Sequence, residues 1–244
     1  AVALEAGGPF ELRRALRIYG VRDGMPIGVH RFARRLGYGT SPLPPPAWLS
    51  GDARGLLVPD TSEHKNDPIV MDVLRGNHVL AREIIAQLES LQIKPTHLFV
   101  QAGVGGLPAA AAEALAPHMS EPKKIVIVEP AAAACVGAAL EAGHPVQLEG
   151  DFDTTAEMLA CGRASASAIE ILKRHETACV VVDERELEAA PLTLRQAQGP
   201  STTASGAAGL AGLLQVAAQP IWREAHRVTP NSTVLFIVTE GVLV

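Results

Sequence analysis

The sequence predicts an α/β fold wound on a parallel sheet, and three observations carry that expectation. Short apolar runs of strand length recur at residues 97–101, 124–128, 179–182 and 234–238. Apart from His97, Gln101 and Lys124 at their ends, the runs are apolar at successive rather than alternate positions, the pattern of strands buried on both faces. Longer Ala-, Leu- and Val-rich stretches with helical spacing lie between them, and strands alternating with helices imply parallel pairing through crossover helices. Several strands also run directly into polar or glycine-containing turns, namely Gln101-Ala102-Gly103, Glu129-Pro130 and Thr239-Glu240-Gly241. In such sheets ligands bind beyond the carboxyl ends of the strands.

Taken in order, residues 1–54 stand apart. They are rich in Arg, Pro and Gly and weakly periodic. Short helices are predicted over residues 11–18 and 28–36, the second with Arg31, Arg34 and Arg35 on a solvated side. The segment SPLPPP at 41–46 suits neither a helix nor a central strand and reads as a linker or splice. From Gly55 the pattern becomes orderly. A short strand is predicted at 56–58, then a helix over 68–88 with Val70, Val73, Leu74, Leu80, Ile84 and Leu88 on one face. A strand at 97–101 leads through glycines into a helix over 107–115. After the strand at 124–128, a helix over 131–142 stops at Gly143. A short strand at 146–148, helices over 154–160 and 165–174, the strand at 179–182, a small-residue helix over 205–219 and a last strand at 234–238 complete the chain.

The stretch THLFVQAGVGGLPAAAAEALAP, 96–117, is the centre of the functional reading. Gly103, Gly105 and Gly106 permit a tight turn and a close backbone approach. The alanine-rich segment that follows is a strong helix former, with Pro108 in its first turn. A glycine turn at a helix N-terminus presents free N–H groups and the positive end of the dipole to one spot, so a phosphate is expected there. A dinucleotide fingerprint would place a third glycine where Pro108 stands and an acid about 20 residues on; Glu129 lies near that distance, which leaves this reading open. The Gly-Lys-Ser/Thr of a P-loop is absent. A plain β–α turn without a ligand has the same local pattern.

Composition narrows the classes. The 244 residues carry a net charge of −5, which gives no electrostatic footprint for nucleic acid. No apolar run is long enough to span a bilayer and no signal-peptide pattern opens the sequence. Cys135, Cys161 and Cys179 are odd in number and scattered, as expected of reduced, buried thiols in a cytoplasmic protein rather than of disulfides or a zinc site. No Gly-x-Ser-x-Gly elbow occurs, and the eight histidines are scattered.

VPDTSE (58–63), Arg75-Gly76, PTHLFVQAGVGGLPAA, KIVIVEP, LACG (159–162), AIEIL, SGAAGLAGLL and VTEG resemble, in that order, the diaminopropionate ammonia-lyase family. That family belongs to the fold-type II pyridoxal-phosphate enzymes, with threonine dehydratase and tryptophan synthase β. The resemblance covers roughly residues 55–241. It implies a large α/β domain over 55–244 that binds pyridoxal 5′-phosphate, preceded by a remnant of a smaller domain and linker over 1–54. It implies that Gly103, Val104, Gly105, Gly106 and Leu107 cradle the cofactor phosphate and that Thr239 faces the pyridine nitrogen. A neutral hydroxyl there leaves that nitrogen unprotonated, which suits elimination chemistry. Asp60 matches an aspartate near the substrate amine, where a carboxylate binds an ammonium or shuttles its proton; apart from the resemblance, Asp60 reads equally as a turn or cap residue. Residues 22–29 and 32–37 resemble the family's Thr-Asp-Gly-Asn-His-Gly loop and the helix after it, which makes Asp23 a second acid–base carboxylate, the one assigned to the D-isomer. The implied reaction is α,β-elimination of 2,3-diaminopropionate to pyruvate and ammonia, in a homodimer acting on a small amino acid. A serine/threonine dehydratase and a non-catalytic remnant are the alternatives.

The departures from the family are specific. Met25-Pro26 replaces the Asn-His pair, and Met cannot supply the polar contact that Asn makes to the cofactor ring. Ala204 stands where the ammonia-lyase pattern has Glu. The family's Schiff-base lysine, in a Phe-Lys context upstream of the Asp-Gly-Asn loop, has no counterpart. The five lysines are Lys65, Lys94, Lys123, Lys124 and Lys173, and only Lys65 is near the predicted site in sequence. The chain is therefore expected to be an N-terminally truncated or degraded copy with little or no lyase activity of its own.

Overall fold

The computed structural model describes residues 60–241. The elements expected at 11–18, 28–36 and 56–58, the linker at 41–46, Asp23 and the domain division at 54/55 lie outside the described residues. Helix α1 (Pro68–Ser90) starts where Asp67 accepts the amides of Ile69 and Val70, and it buries Val70, Leu74, Ala81, Ile84 and Leu88 on one face. There follow β1 (His97–Gln101), α2 (Gly106–Leu115), β2 (Lys124–Pro130), α3 (Cys135–Ala142), α4 (Ala166–Arg174), β3 (Ala178–Val182), α5 (Glu184–Gln196), α6 (Ala204–Ala218), α7 (Pro220–Ala225) and β4 (Val234–Phe236). The four strands form one sheet in the order β3-β2-β1-β4, every neighbouring pair parallel.

Side-chain alternation along the central strands divides the core in two. Leu98, Val100, Ile125 and Ile127 pack with Leu74, Ile84, Leu115 and Leu172 on one face. Phe99, Val126 and Val128 pack with Leu187, Leu194, Leu210 and Leu213 on the other. Helix α6 lies directly on the second face because it is built of small residues: a Cβ at Gly212 would stand 2.4 Å from Val128 Cγ2. Burial on both faces explains why β1, β2 and β4 read as apolar runs, whereas the edge strand β3 leaves Val181 exposed.

Several expectations are corrected. The helix expected over 154–160 is a single 3₁₀ turn, Glu157–Leu159. Thr154 Oγ1 accepts the Ala156 amide, and Thr155 gives both its amide and its hydroxyl to Glu184, so side-chain bonds displace the helical ladder. The strand at 146–148 is one isolated antiparallel bridge, Gln147 to Arg163. The helix over 131–142 is broken at Ala134, with a 3₁₀ turn at Ala131–Ala133 before α3 begins. Helices α5 and α7 were not anticipated. Among the described residues no helix is long and apolar enough to cross a membrane.

Candidate functional site

The site is built at the carboxyl ends of β1 and β4. Beyond Gln101 the chain stays level with the sheet for one residue, Ala102 N donating to Val128 O at 3.0 Å, and then turns. The turn requires glycine because protein presses on it from behind. Gly105 has φ +95°, and a Cβ there would meet Ala168 Cβ at 3.1 Å and Val136 Cγ2 at 3.3 Å. A Cβ at Gly103 would meet Cys161 Sγ at 3.1 Å and Met158 O at 3.3 Å. The loop carbonyls are taken by the protein: Gly103 O accepts from Cys135 Sγ at 3.3 Å, Val104 O from Ser165 N at 2.9 Å and Gly105 O from Ala109 N at 3.0 Å. The amides of Gly103, Val104, Gly105, Gly106 and Leu107 have no hydrogen-bond partner among the described residues, and α2 has no side-chain cap. Successive free amides at a helix N-terminus form an anion-binding concavity.

This loop borders a cavity of about 290 Å³, which Asp60, Asn77, Gln101, Ser165 and Thr239 also line. Gln101 Nε2 donates to Thr239 Oγ1 at 2.8 Å. That bond uses a lone pair of the Thr239 hydroxyl and leaves its O–H to give to an acceptor. Asp60 reaches the cavity because the segment after it is strapped to the start of α4. Ala166 N donates to Ser62 O at 2.9 Å, Ser167 Oγ to Lys65 O at 2.8 Å, and Arg163 pairs with Glu63. Burial, helped by the nearby negative charges of Asp60 and Glu129, pushes the Cys161 thiol up to about 12, so this thiol stays protonated.

Of the residues read from sequence, Asp60, Gly103 to Leu107 and Thr239 come together, whereas Glu129 and Lys65 do not join them. Glu129 is fully buried at the end of β2, where its carboxylate accepts the amides of Val136 at 2.7 Å and Gly137 at 2.8 Å. It caps α3, which removes it as the acid of a dinucleotide fingerprint. Burial outweighs these two bonds and raises its pKa to about 7. Lys65 Nζ pairs with Glu170 Oε2 at 3.2 Å, both side chains largely exposed. None of the five lysines, all of them among the described residues, lines the cavity. Sequence reasoning missed Ser165, whose hydroxyl is buried at the cavity without a partner among the described residues; in sequence it is an ordinary serine before a helix. Among the described residues no cluster of metal-ligating side chains occurs.

Fold and loop together define an α/β protein with a glycine loop and an uncapped helix start at the carboxyl end of a parallel sheet. Residues 52–240 match the model of the pyridoxal-phosphate dependent enzymes, and the chain belongs to that family, whose cofactor is pyridoxal 5′-phosphate. The diaminopropionate ammonia-lyase of Salmonella typhimurium is 30% identical over 199 residues, covering 76% of this chain and 49% of that protein. The biosynthetic L-threonine dehydratase of Haemophilus influenzae is 35% identical over 141 residues, 58% of this chain and 26% of that protein. The crystal structure of Escherichia coli diaminopropionate ammonia-lyase superposes with a TM-score of 0.66 at 25% identity, covering 87% of this chain and 51% of that one. The chain thus spans about half the length of the ammonia-lyases it matches. The residues present suit two ends of the cofactor, an anion at the free amides and a ring acceptor at Thr239. They do not supply an amine at the cavity.

Proposed function

We propose that this chain carries the phosphate- and ring-binding half of a pyridoxal-phosphate-dependent ammonia-lyase that eliminates one ammonia from 2,3-diaminopropionate, the product then being hydrolysed by water to pyruvate and a second ammonia. In this reading residues 55–244 are the large cofactor domain, residues 1–54 the remnant of a smaller one, and the working form is a homodimer. Bound pyridoxal phosphate supplies an electron sink for the bond broken at the substrate Cα. The amides of Gly103, Val104, Gly105, Gly106 and Leu107 hold its phosphate, where the α2 dipole favours negative charge. Thr239 donates its remaining O–H to the ring nitrogen and, being neutral, leaves that nitrogen unprotonated. Asp60 binds the substrate ammonium and takes or returns its proton. Asp23, outside the described residues, serves as the second acid–base carboxylate. The observation that carries the reading is the meeting, in one cavity, of five amides at a helix N-terminus that have no partner among the described residues with the Gln101–Thr239 pair. The 35% identity to a threonine dehydratase supports hydroxy-amino-acid elimination as the second reading.

Because no lysine lines the cavity, the 244-residue chain is expected to bind the cofactor without covalent attachment and without turnover. Loss of a covalent-catalysis residue ordinarily lowers the rate by several orders of magnitude. The test is to purify the chain, add pyridoxal phosphate, and measure both retained cofactor and pyruvate released from each diaminopropionate isomer, with a full-length ammonia-lyase as positive control. Retained cofactor without pyruvate is the expected result. A borohydride-reducible adduct at Lys65 accompanied by pyruvate would overturn the inactive reading, and 2-oxobutanoate from threonine would turn the assignment to a dehydratase.

A further inference from the structure

Ser165 occupies the position just before α4 with extended backbone, φ −74° and ψ 132°. A serine there ordinarily turns its hydroxyl onto the amide two or three residues ahead and caps the helix. Ser165 makes no such bond. Its Oγ is buried and has no hydrogen-bond partner among the described residues, and the residue as a whole is 0% exposed. An unsatisfied buried hydroxyl is costly, because folding removes its water and returns nothing. The backbone places this hydroxyl at the glycine loop: Ser165 N donates to Val104 O at 2.9 Å, and Ala168, in the first turn of α4, packs against Gly105. The residue lines the same cavity as the free loop amides. Two helix N-termini, those of α2 and α4, thus converge there, and neither has a side-chain cap.

We propose that Ser165 is a further ligand of the phosphate group, its O–H donating to a phosphate oxygen beside the loop amides. The proposal rests on the cofactor reading above for the identity of the phosphate, but on the unpaired hydroxyl for its place. It explains why the capping bond is forgone: the hydroxyl is held for a stronger acceptor, since bonds to charged oxygens exceed those between neutral partners.

The experiment titrates inorganic phosphate and, separately, pyridoxal phosphate into the full chain by calorimetry, for wild type, Ser165→Ala and Ser165→Thr. The urea midpoint of each ligand-free protein is measured alongside. Ser165→Ala is expected to weaken both ligands about tenfold. Ser165→Thr, which keeps the hydroxyl, should recover most of that loss. The ligand-free midpoint of Ser165→Ala should equal or exceed that of wild type, because the change deletes an unsatisfied group. A lowered midpoint with unchanged affinity would make Ser165 a structural cap and overturn the proposal. Wild-type affinity for both ligands in Ser165→Ala would overturn it too, while leaving the cofactor reading intact. Phosphate binding without pyridoxal phosphate binding would remove the cofactor reading, and the Ser165 assignment would then be decided by the phosphate titration alone. A wild-type chain that binds neither would overturn both.

Discussion

The adjacent strands β1 and β2 run parallel and in register, Gln101 beside Val128, yet the helices that follow them begin in opposite ways. One step past that pair β2 offers Glu129, whose carboxylate takes the amides of Val136 and Gly137 and closes the start of α3. At the same level β1 offers Ala102, which can cap nothing, and the start of α2 stays open to the cavity. The contrast extends through the fold. Asp67 caps α1, Asp183 and Glu186 form a reciprocal capping box on α5, and Thr203 accepts the Gly206 amide on α6. Helix α7 has no cap either, but it is six residues long and begins with Pro220, which has no N–H. Every helix start carries orphan amides and partial positive charge. The chain neutralises them with its own oxygen wherever the helix is merely structural. It withholds that oxygen at α2, whose start borders the cavity, while α4 lacks a side-chain cap and has its first amide taken by the backbone oxygen of Ser62. On the function proposed above, the cap missing from α2 marks the place of the ligand.

The comparison is broken most severely by disturbing what holds the open loop in place. Gly105→Val forces a branched residue to φ +95° and drives its Cβ into Ala168 and Val136. Left-handed backbone costs about 1–2 kcal/mol for a residue with a Cβ, and overpacking about 1–3 kcal/mol more. The expected outcome is a fall in urea midpoint equivalent to about 3 kcal/mol, with phosphate binding lost. Gly106→Ala, whose Cβ would find Asn77 Nδ2 at an ordinary 3.6 Å, should fold like wild type. An undisturbed midpoint for Gly105→Val would mean that the loop is not supported from behind, and the open start of α2 would be an accident of packing.

The parts of the molecule legible in sequence are those where one pattern has one cause. Runs such as KIVIV are apolar at every position after the first because both faces of the sheet are covered, and they became strands. The glycine spacing in QAGVGG located the turn, although the glycines answer to protein packed behind the loop as much as to any ligand before it. Helix α5 was hidden because its surface is rich in Glu and Arg and Pro191 lies inside it. Glu129 was a plausible ribose acid by spacing alone, and only the third dimension turns it onto α3. Lys65 follows Asp60 by five residues, yet its amine faces Glu170. Ser165 could not be read at all, since a serine before a helix predicts a capping bond and its significance lies in not making one.

The closed start of α3 provides the second test. The folded-state pKa of Glu129 is raised to about 7 by burial, above its ordinary 4.5. A group raised on folding stabilises fully below its unfolded pKa, and that contribution is lost as pH rises through the folded value. Wild-type stability should therefore decline from about pH 4.5 to about pH 7, by an amount on the order of 3 kcal/mol at 1.36 kcal/mol per unit. Glu129→Gln should abolish that slope. His97 acts in the other direction: desolvation lowers its pKa, so its contribution falls away as pH drops below 6.5. Reading the difference between variant and wild type across pH 4–8, by urea midpoint, isolates Glu129 from the histidine. Identical slopes in the two proteins would show that the carboxylate cap is charged throughout, as an exposed one would be.

The smallest effect separates the two ends of the cofactor. Thr239→Val removes the oxygen that accepts from Gln101 Nε2, and Gln101 is only 2% exposed, with its Oε1 already unpaired. A second unpaired atom on that amide should lower stability by about 1–2 kcal/mol. The valine is isosteric and removes none of the loop amides, so affinity for inorganic phosphate should not change. Affinity for pyridoxal phosphate should fall about tenfold, as expected for one lost hydrogen bond worth about 1.4 kcal/mol. Thr239→Ser, which keeps the hydroxyl, should bind both ligands as wild type does. Equal weakening of phosphate and pyridoxal phosphate by Thr239→Val would mean that the hydroxyl acts by shaping the loop, and the ring nitrogen would then need a different partner. Selective weakening of the ring-bearing ligand would place the open helix start and the Gln101–Thr239 pair at opposite ends of one bound molecule.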